Sequence, residues 1–377
     1  MRIAIITNSS SYEPRMDLTV EFFQSYGHKV TRIESNFIHR EKVKTDKKAE
    51  NTIYIDTIPY KRNLSIRRLF SHYNFAKKVY KLLNTQKYDL IYVFIPANAL
   101  LRFSTIYKNN NPKVKLVTDI IDLWPESLPF KYFKKVWPIT QWAAIRNDNL
   151  SKCDHIILEC GLYQTILKDH MKDVENTVIY WPKKTTLDCP EFIENKSELN
   201  ICYLGSINNI IDIDFISDLM IEINKLTKAV LHIIGDGEKK DKFLTKLSKA
   251  GLPYTFYGSL YDEYKKMEIL SGCDYGINIM KRSVCVGITM KSVDYMHAGL
   301  PMVNNIRGDI WDLIESYSLG INCKPESPVD VAKRIVNDRS TMNKNRSDIR
   351  LFYERYFSKE AYNRKMEKCL NDLLIKK

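Results

Sequence analysis

Glycine and proline are scarce in this chain: each occurs 13 times in 377 residues, which argues against long disordered linkers. No stretch approaches the roughly 20 consecutive apolar residues that a membrane-spanning helix requires. The eight cysteines stand singly, without a CxxC pair or a cysteine–histidine cluster at ligand spacing. Neither a zinc site nor a disulfide framework is therefore expected, and we expect most cysteines to be buried thiols.

The composition is that of a globular protein with more than one domain. Hydrophobic residues make up 44% and charged residues 27% of the chain, and 377 residues exceed the usual size of a single domain. The first ten residues, MRIAIITNSS, hold an apolar run that is too short for a signal peptide and predicts a first β-strand. We therefore expect a cytoplasmic protein.

The net charge of +13 indicates a negatively charged partner. Nucleic acid, an anionic membrane surface and phosphorylated substrates are the candidates. No nucleic-acid-binding module is recognisable in the sequence, so we expect no nucleic-acid partner.

Strand-like and helix-like segments alternate along both halves of the chain, which predicts two α/β domains. Apolar runs such as Leu90–Ile95 and Leu231–Ile234 are typical of buried strands. The polar stretch 181–196 contains two prolines and shows no periodicity. We predict that it links the two domains.

Two segments of the first half combine basic residues with apolar ones. In the predicted helix 64–83, the apolar stripe from Ile66 to Leu83 is spaced to face a core, and the other face is basic (Arg67, Arg68, Lys77, Lys78, Lys81). That basic face is either solvated or held on anionic lipid headgroups. The segment 131–137 alternates aromatic residues with Lys131, Lys134 and Lys135, as at a membrane interface. Together they favour peripheral association with an anionic membrane.

The stretch 284–305 contains a candidate nucleotide site. The turn Gly287-Ile288-Thr289 opens a predicted helix, Met290–His297, whose first N–H groups and dipole suit an anion. Lys291 adds positive charge in the first turn, and Asp294 offers a carboxylate for sugar hydroxyls. The alternative is an ordinary connection between a helix and a strand, with a glycine at its end.

This stretch resembles the donor-nucleotide segment of GT-B glycosyltransferases, family 4 in particular. In that family a glycine-bearing turn leads into a helix that ends in an A-G-x-P motif, matched here by Ala298–Pro301. A K-x-x-D-Y-M pattern of the bacterial surface-polysaccharide transferases matches 291–296. Of the two glutamates that the family usually carries, the second position is Asp294 and the first is Val286.

Further motifs of the same family occur in the second half of the chain. The strand and turn before Gly205 match its Y-x-G motif, 234–237 match I-G-D-G, and 256–258 match F-x-G. The resemblance implies that the donor nucleotide contacts Gly205, Ser206, Gly235, Asp236, Gly237, Tyr257, Gly258, Ser259, Leu260, Lys281, Arg282, Gly287, Ile288, Thr289, Met290, Lys291 and Asp294.

In the first half, the sequence D-L-W-P-E-S at 122–127 resembles a signature of transferases that act on lipid-linked acceptors. The resemblance makes Asp122 a candidate catalytic residue together with Lys291, with Asp122 contacting the acceptor hydroxyl or the donor sugar; the alternative role of Asp122 is to cap the turn. Trp124 and Glu126 belong to the same acceptor loop. Ser10 and Arg15, in the loop after the first strand, are candidates for hydrogen bonds to phosphate.

The resemblance implies a GT-B fold: two Rossmann-like, doubly wound domains with an interdomain cleft. Residues 1–185 would form the acceptor- and membrane-facing domain, with the helix 353–377 packing back on it, and 196–350 the nucleotide-sugar domain. The implied reaction moves a sugar, with retention of configuration, from a UDP-sugar to a saccharide acceptor linked to polyprenyl diphosphate, without metal or cofactor. The alternatives are a non-catalytic GT-B partner subunit and a nucleotide-sugar 2-epimerase.

Overall fold

The structure is a computed structural model that describes residues 1–62, 65–128, 137–183, 190–193, 197–323 and 327–375. The chain forms two compact units. Unit 1 comprises Met1–Lys184 and Lys359–Lys377, and unit 2 comprises Thr185–Ser358. Within the described ranges, no helix is long and apolar enough to cross a membrane.

Unit 1 is built on a parallel sheet. Its described strands are β1 Arg2–Thr7, β2 Lys29–Ser35, β5 Thr52–Ile55, β6 Leu90–Ile95, β7 Lys115–Ile120, β8 His155–Leu158 and β9 Asn176–Val178, with a short antiparallel hairpin of β3 Phe37–Ile38 and β4 Val43–Lys44. The spatial order is β5-β2-β1-β6-β7-β8-β9. All residues of β6 are buried, as expected for a strand covered on both faces.

Helices cover both faces of this sheet. They are α1 Glu13–Ser25, α2 Ile66–Leu83, α3 Asn98–Asn110, α4 Ile139–Leu150 and α5 Gly161–Leu167. Alternate residues of β1 enter two separate cores: Ala4 packs in the core that contains Phe75 of α2, and Ile5 in the core that contains Phe23 of α1. This alternation follows from the period of two in a strand.

Unit 2 repeats the pattern with a second parallel sheet. Its strands are β10 Leu199–Leu204, β11 Ala229–Ile234, β12 Tyr254–Gly258, β13 Tyr275–Asn278, β14 Met302–Asn304 and β15 Gly320–Asn322, in the order β12-β11-β10-β13-β14-β15. The helices are α6 Ile213–Leu226, α7 Lys240–Lys249, α8 Glu263–Ser271, α9 Met290–His297, α10 Asp309–Tyr317, α11 Pro328–Lys344 and α12 Arg346–Phe357.

The last helix of the chain returns to unit 1. Helix α13, Lys359–Ile375, places Tyr362, Met366 and Leu370 in the same core as α1. The prediction of one continuous helix from residue 353 onward is wrong, because α12 ends at Phe357 and Ser358 is extended, with φ −76° and ψ 165°. That break coincides with the boundary between the two units.

Candidate active site

The topology of unit 2 indicates where a ligand would bind. Strands β11 and β12 lie on one side of β10, and β13 to β15 lie on the other. In open parallel sheets, ligands bind at the carboxyl ends of the strands where the order reverses, here between β10 and β13. The loops that follow these two strands contain Gly205, Ser206, Lys281 and Arg282 of the predicted donor site.

The predicted glycine turns converge at this edge. Gly205 N–H donates to the carbonyl of Ile234 at 2.9 Å, and Gly235 N–H donates to that of Gly258 at 2.7 Å. Gly235 has φ +144°, and an added Cβ would lie 2.0 Å from the Gly205 oxygen, so only glycine fits there. The turn after β11 is closed by the Asp236 carboxylate, which accepts from Gly237 N–H at 2.7 Å.

At the end of β12, Tyr257 contacts the neighbouring strand. The Tyr257 hydroxyl lies 2.9 Å from Nδ1 of His232, and the two rings stack with centroids 6.0 Å apart. Tyr257 is thus held against β11, while Ser259 beyond it is exposed and Leu260 is half-buried.

Helix α9 begins where the turn pattern predicts. Gly287 is buried, Ile288 is half-buried and Met290 is exposed. Thr289 is the N-cap, and its side chain accepts from Ser292 N–H at 3.2 Å. The helix therefore presents its first N–H groups beside the switch point, as an anion site requires.

Lys291 is the most unusual group at this edge. Its side chain is buried, and among the described residues its Nζ has no hydrogen-bond partner. Nζ lies over the ring of Tyr203, 4.8 Å from the ring centroid. Burial lowers the pKa of Lys291 from 10.5 to about 7. A buried cation without a carboxylate partner is costly unless an anion joins it.

Asp294 is buried one helical turn further on. Its Oδ1 lies 3.6 Å from Nζ of Lys266, which also pairs with Glu263 in α8. The lysine partner was not predicted, because Lys266 lies in a different helix and carries no motif. Part of the charge of the Asp294 carboxylate is therefore balanced within unit 2.

Lys281 and Arg282 line a cavity of about 360 Å³ on the β13 side of the switch point. Arg307, from the loop after β14, lines the same cavity and stacks on Trp311 with its Cζ 4.0 Å from the ring centroid. The three cations make this a second basic part of the predicted donor region. Arg307 lies outside the family motifs and was not predicted.

A buried ladder of asparagines crosses the carboxyl ends of β13, β14 and β15. Asn278 donates to Asn304 at 2.9 Å, and Asn304 donates to Asn322 at 2.8 Å. Asn278 also accepts from the hydroxyl of the N-cap Thr289 at 3.1 Å, which ties the start of α9 to the sheet. Each of three successive apolar strands ends in an asparagine, and this pattern can be recognised in the sequence.

In unit 1, Asp122 follows β7 and is only partly exposed. The Tyr12 hydroxyl donates to its Oδ2 at 2.5 Å. Burial raises the pKa of Asp122, whereas the hydrogen bond from Tyr12 and the charge of Arg68 lower it. Asp122 therefore has a fixed orientation, supplied by a residue from the loop after β1.

Trp124 and Glu126 serve to hold the same loop. The Trp124 ring lies against Arg68, with Cζ 4.2 Å from its centroid, and stacks on His72. Glu126 forms two hydrogen bonds with the buried Arg146, at 2.6 and 3.0 Å. Arg146 also donates to the Trp124 carbonyl at 2.8 Å.

The position of Arg15 differs from the predicted one. Its side chain has no exposed surface and forms an ion pair with the buried Asp119, with Nε to Oδ2 at 2.8 Å. Asp119 is also bound by the Tyr92 hydroxyl at 2.7 Å. Arg15 thus has a structural role in the core rather than the predicted contact with phosphate. Ser10 lines a polar cavity of about 450 Å³ beside β2.

The predicted membrane segment with Lys131, Lys134 and Lys135 lies outside the described residues. Its last residue, Trp137, is described and is exposed.

Solved structures share this fold over the whole chain. Sucrose-phosphate synthase from Thermosynechococcus elongatus is 12% identical, with a TM-score of 0.71 and 99% of each chain covered. HepE of Anabaena in complex with UDP is 14% identical, with a TM-score of 0.69, over 99% of this chain and 100% of HepE. The lipopolysaccharide outer core galactosyltransferase WaaB is 16% identical, with a TM-score of 0.68, over 99% and 100% of the two chains.

The fold is therefore the GT-B fold, in which two Rossmann-like halves form the molecule. Residues 198–337 match the model of the family described as "Glycosyl transferases group 1". That range lies within unit 2 and contains every residue of the predicted donor site. The family model thus matches most of unit 2, and the whole chain shares its fold with solved glycosyltransferases such as WaaB. No curated protein sequence matches this chain.

Proposed function

We propose that this protein transfers a sugar from a UDP-sugar to a saccharide acceptor linked to polyprenyl diphosphate, in the synthesis of a cell-surface polysaccharide such as capsule or O-antigen. Unit 2 would bind the donor at the carboxyl ends of β10 and β13. The neighbour HepE is described in complex with UDP. The pneumococcal O-GlcNAc transferase GtfA, which has the same fold with a TM-score of 0.65 and 10% identity, is described with UDP and GlcNAc.

The buried, unpartnered ammonium group of Lys291 carries the proposal. A diphosphate beside Lys291 Nζ and the first N–H groups of α9 would supply the negative charge that the described residues do not. Phosphate binding would also restore the protonated state of a lysine whose pKa is about 7 in the free protein. Lys281, Arg282 and Arg307 would add charge nearby.

The proposed chemistry is retaining and needs no metal. The bond between the anomeric carbon and the diphosphate breaks, and the acceptor hydroxyl attacks from the same face. A diphosphate oxygen takes the proton of that hydroxyl. Lys291 and the α9 N-terminus stabilise the negative charge that develops on the leaving group. Asp122, oriented by Tyr12, contacts the acceptor hydroxyl or the transferred sugar.

The net charge and the loop 122–127 support the proposed acceptor and site of action. We propose that the protein acts at the inner face of the cell membrane as a peripheral protein. The net charge of +13 would attract it to anionic lipid.

Calorimetric titration with UDP, GDP and uridine tests the donor site, first without metal and then with magnesium. We expect metal-independent binding of UDP that is much tighter than that of uridine. Lys291→Met should weaken UDP binding by about tenfold or more while leaving uridine nearly unchanged, because its proposed partner is phosphate. Titration in two buffers of different ionisation enthalpy should show proton uptake near pH 7.

Lys249→Met, on the exposed side of α7, is the matched control and should leave UDP affinity unchanged. Equal losses for UDP and uridine in the Lys291 variant would place the phosphates elsewhere. Absence of binding to any nucleotide would reject the donor site and favour a non-catalytic GT-B subunit.

A further inference from the structure

Unit 1 has an apolar groove on the side of α2 that faces α4. The groove is defined by Ile66, Leu69, Phe70, Tyr73, Trp142 and Ile145 and has a volume of about 440 Å³. Asn98, His72 and Gln141 are the polar residues in its lining, and no charged side chain of the described residues lines it. It is therefore suited to hydrocarbon rather than to a sugar or a nucleotide.

The two halves of α2 differ in what they bury. In the second half, Ala76, Val79 and Leu83 pack in the core, as the helical stripe predicts. In the first half, Ile66 is 73% exposed and Phe70 is 63% exposed, so the predicted core contact is wrong there. Trp137, just before α4, is 75% exposed. Apolar side chains of this size rarely cluster on a surface without a partner.

A basic pocket adjoins the groove at the first turn of α2. It has a volume of about 420 Å³ and is lined by Lys42, Pro59, Tyr60, Lys61, Arg62, Ser65 and Arg67. Ile66 belongs to the groove and Arg67 to the basic pocket, so the two sites meet at consecutive residues. Within the described residues, no carboxylate lines the basic pocket.

We propose that this face docks on an anionic phospholipid bilayer, with a lipid chain in the apolar groove and a lipid phosphate in the basic pocket. The order of the two sites matches the amphipathic order of a lipid, whose charged headgroup adjoins its chain. Exposed Ile66, Phe70 and Trp137 enter the boundary between headgroups and chains, where aromatic and aliphatic side chains are stable. The cations of the pocket remain at headgroup depth.

The inference deepens the proposed function, because it assigns the membrane contact to particular residues of unit 1. It does not depend on the donor site. UDP titration reports on unit 2, and vesicle binding reports on this face, so failure of one is distinguishable from failure of the other.

The test is sedimentation of the full chain with vesicles of phosphatidylglycerol and phosphatidylcholine in equal parts, and with phosphatidylcholine alone. We expect binding to the anionic vesicles and little to the neutral ones. Phe70→Glu and Ile66→Glu should each lower binding by about tenfold or more, because each removes an apolar side chain from the lipid phase and adds a charge. Chain-brominated lipid should quench tryptophan fluorescence in the wild type and not in these variants.

Leu351→Glu, on α12 of unit 2, is the matched control: Leu351 is 66% exposed, and its variant should bind vesicles like the wild type. Arg67→Gln should weaken binding to anionic vesicles, whereas Lys249→Gln should not. Circular dichroism and thermal unfolding show that each variant is folded.

Wild-type binding that survives both glutamate variants would overturn the proposal, and so would absence of wild-type binding. Equal binding to neutral and anionic vesicles would overturn the role of the basic pocket. Dimerisation of the wild type, lost in Phe70→Glu and with no vesicle binding, would assign the face to a second copy of the chain instead.

Discussion

Lys291 couples the donor site to the stability of unit 2. Its pKa is about 7 in the folded protein and 10.5 as its reference value, so between these values the unfolded chain binds more protons at this residue. The lysine therefore lowers stability most below pH 7, and the loss disappears as the pH rises through 10.5. Since one pKa unit corresponds to about 1.4 kcal/mol, the cost at pH 7 is several kcal/mol in order of magnitude.

We predict that Lys291→Met raises the free energy of unfolding of the ligand-free protein at pH 7 by at least about 2 kcal/mol. The difference from the wild type should shrink as the pH is raised from 7 towards 10. Denaturant unfolding at several pH values measures this. A Lys291→Met protein that is less stable than the wild type at pH 7 would show that the ammonium group already has a partner.

A second prediction concerns Tyr12 as a positioning residue for Asp122. The hydrogen bond from the Tyr12 hydroxyl stabilises the ionised carboxylate, so Tyr12→Phe should raise the pKa of Asp122 further. In the pH profile of the rate of sugar transfer, the acidic side should then move to higher pH. UDP affinity should change little. The carbon-13 signal of the Asp122 carboxyl, followed through a pH titration, measures the pKa directly.

Tyr88→Phe is the control for that experiment, because Tyr88 bonds to Gln86 rather than to a carboxylate. An unchanged or lowered pKa of Asp122 in the Tyr12 variant would show that Tyr12 is not a positioning residue for Asp122.

At the scale of single residues, the sequence motifs locate turns better than side-chain partners. The glycines at 205, 235 and 258 are recognisable because their backbone positions admit few other residues. Arg15 was misassigned because the motif gives no information on what lies beneath the loop, where Asp119 binds it. Lys266 and Tyr12 reach Asp294 and Asp122 from other elements, and sequence spacing does not report such contacts.

At the scale of elements, local pattern predicts where helices occur but not where they are covered. Helix α9 begins and ends where the turn, the cap and the A-G-x-P stop predict. In α2 the apolar spacing is continuous, yet the apolar residues that enter the core are in its second half, whereas Ile66 and Phe70 are exposed. Periodicity shows that a face is apolar and does not identify its partner.

The division between α12 and α13 shows the same limit in another form. Residues 353–374 have a helical composition throughout, and Ser358 is neither glycine nor proline. The break arises because the helices on its two sides pack in different units: Tyr353 is buried in unit 2, and Tyr362 in unit 1. Tertiary packing therefore overrides a weak local preference for helix.

At the scale of the whole molecule, the fold was predictable from the alternation of elements and from the family motifs. Unit 1 is discontinuous in sequence because α13 returns to it after unit 2. Met366 is fully buried in the core of α1 and β1. We predict that Met366→Ala costs about 2–5 kcal/mol in the stability of unit 1. UDP affinity should be unaffected, since every proposed donor contact lies in unit 2.

Thermal unfolding with and without UDP checks this prediction. A variant with unchanged stability would show that α13 is dispensable for unit 1, and a loss of UDP affinity would show that the two units are coupled.

The discontinuity of unit 1 has a consequence for synthesis. The segment 359–375, which completes the core of α1 and β1, leaves the ribosome only after all of unit 2 has been made. Unit 2 is continuous in sequence and can fold as it emerges, whereas the first 184 residues must wait with one face of their sheet incompletely covered. During translation, the part made first is therefore the part finished last.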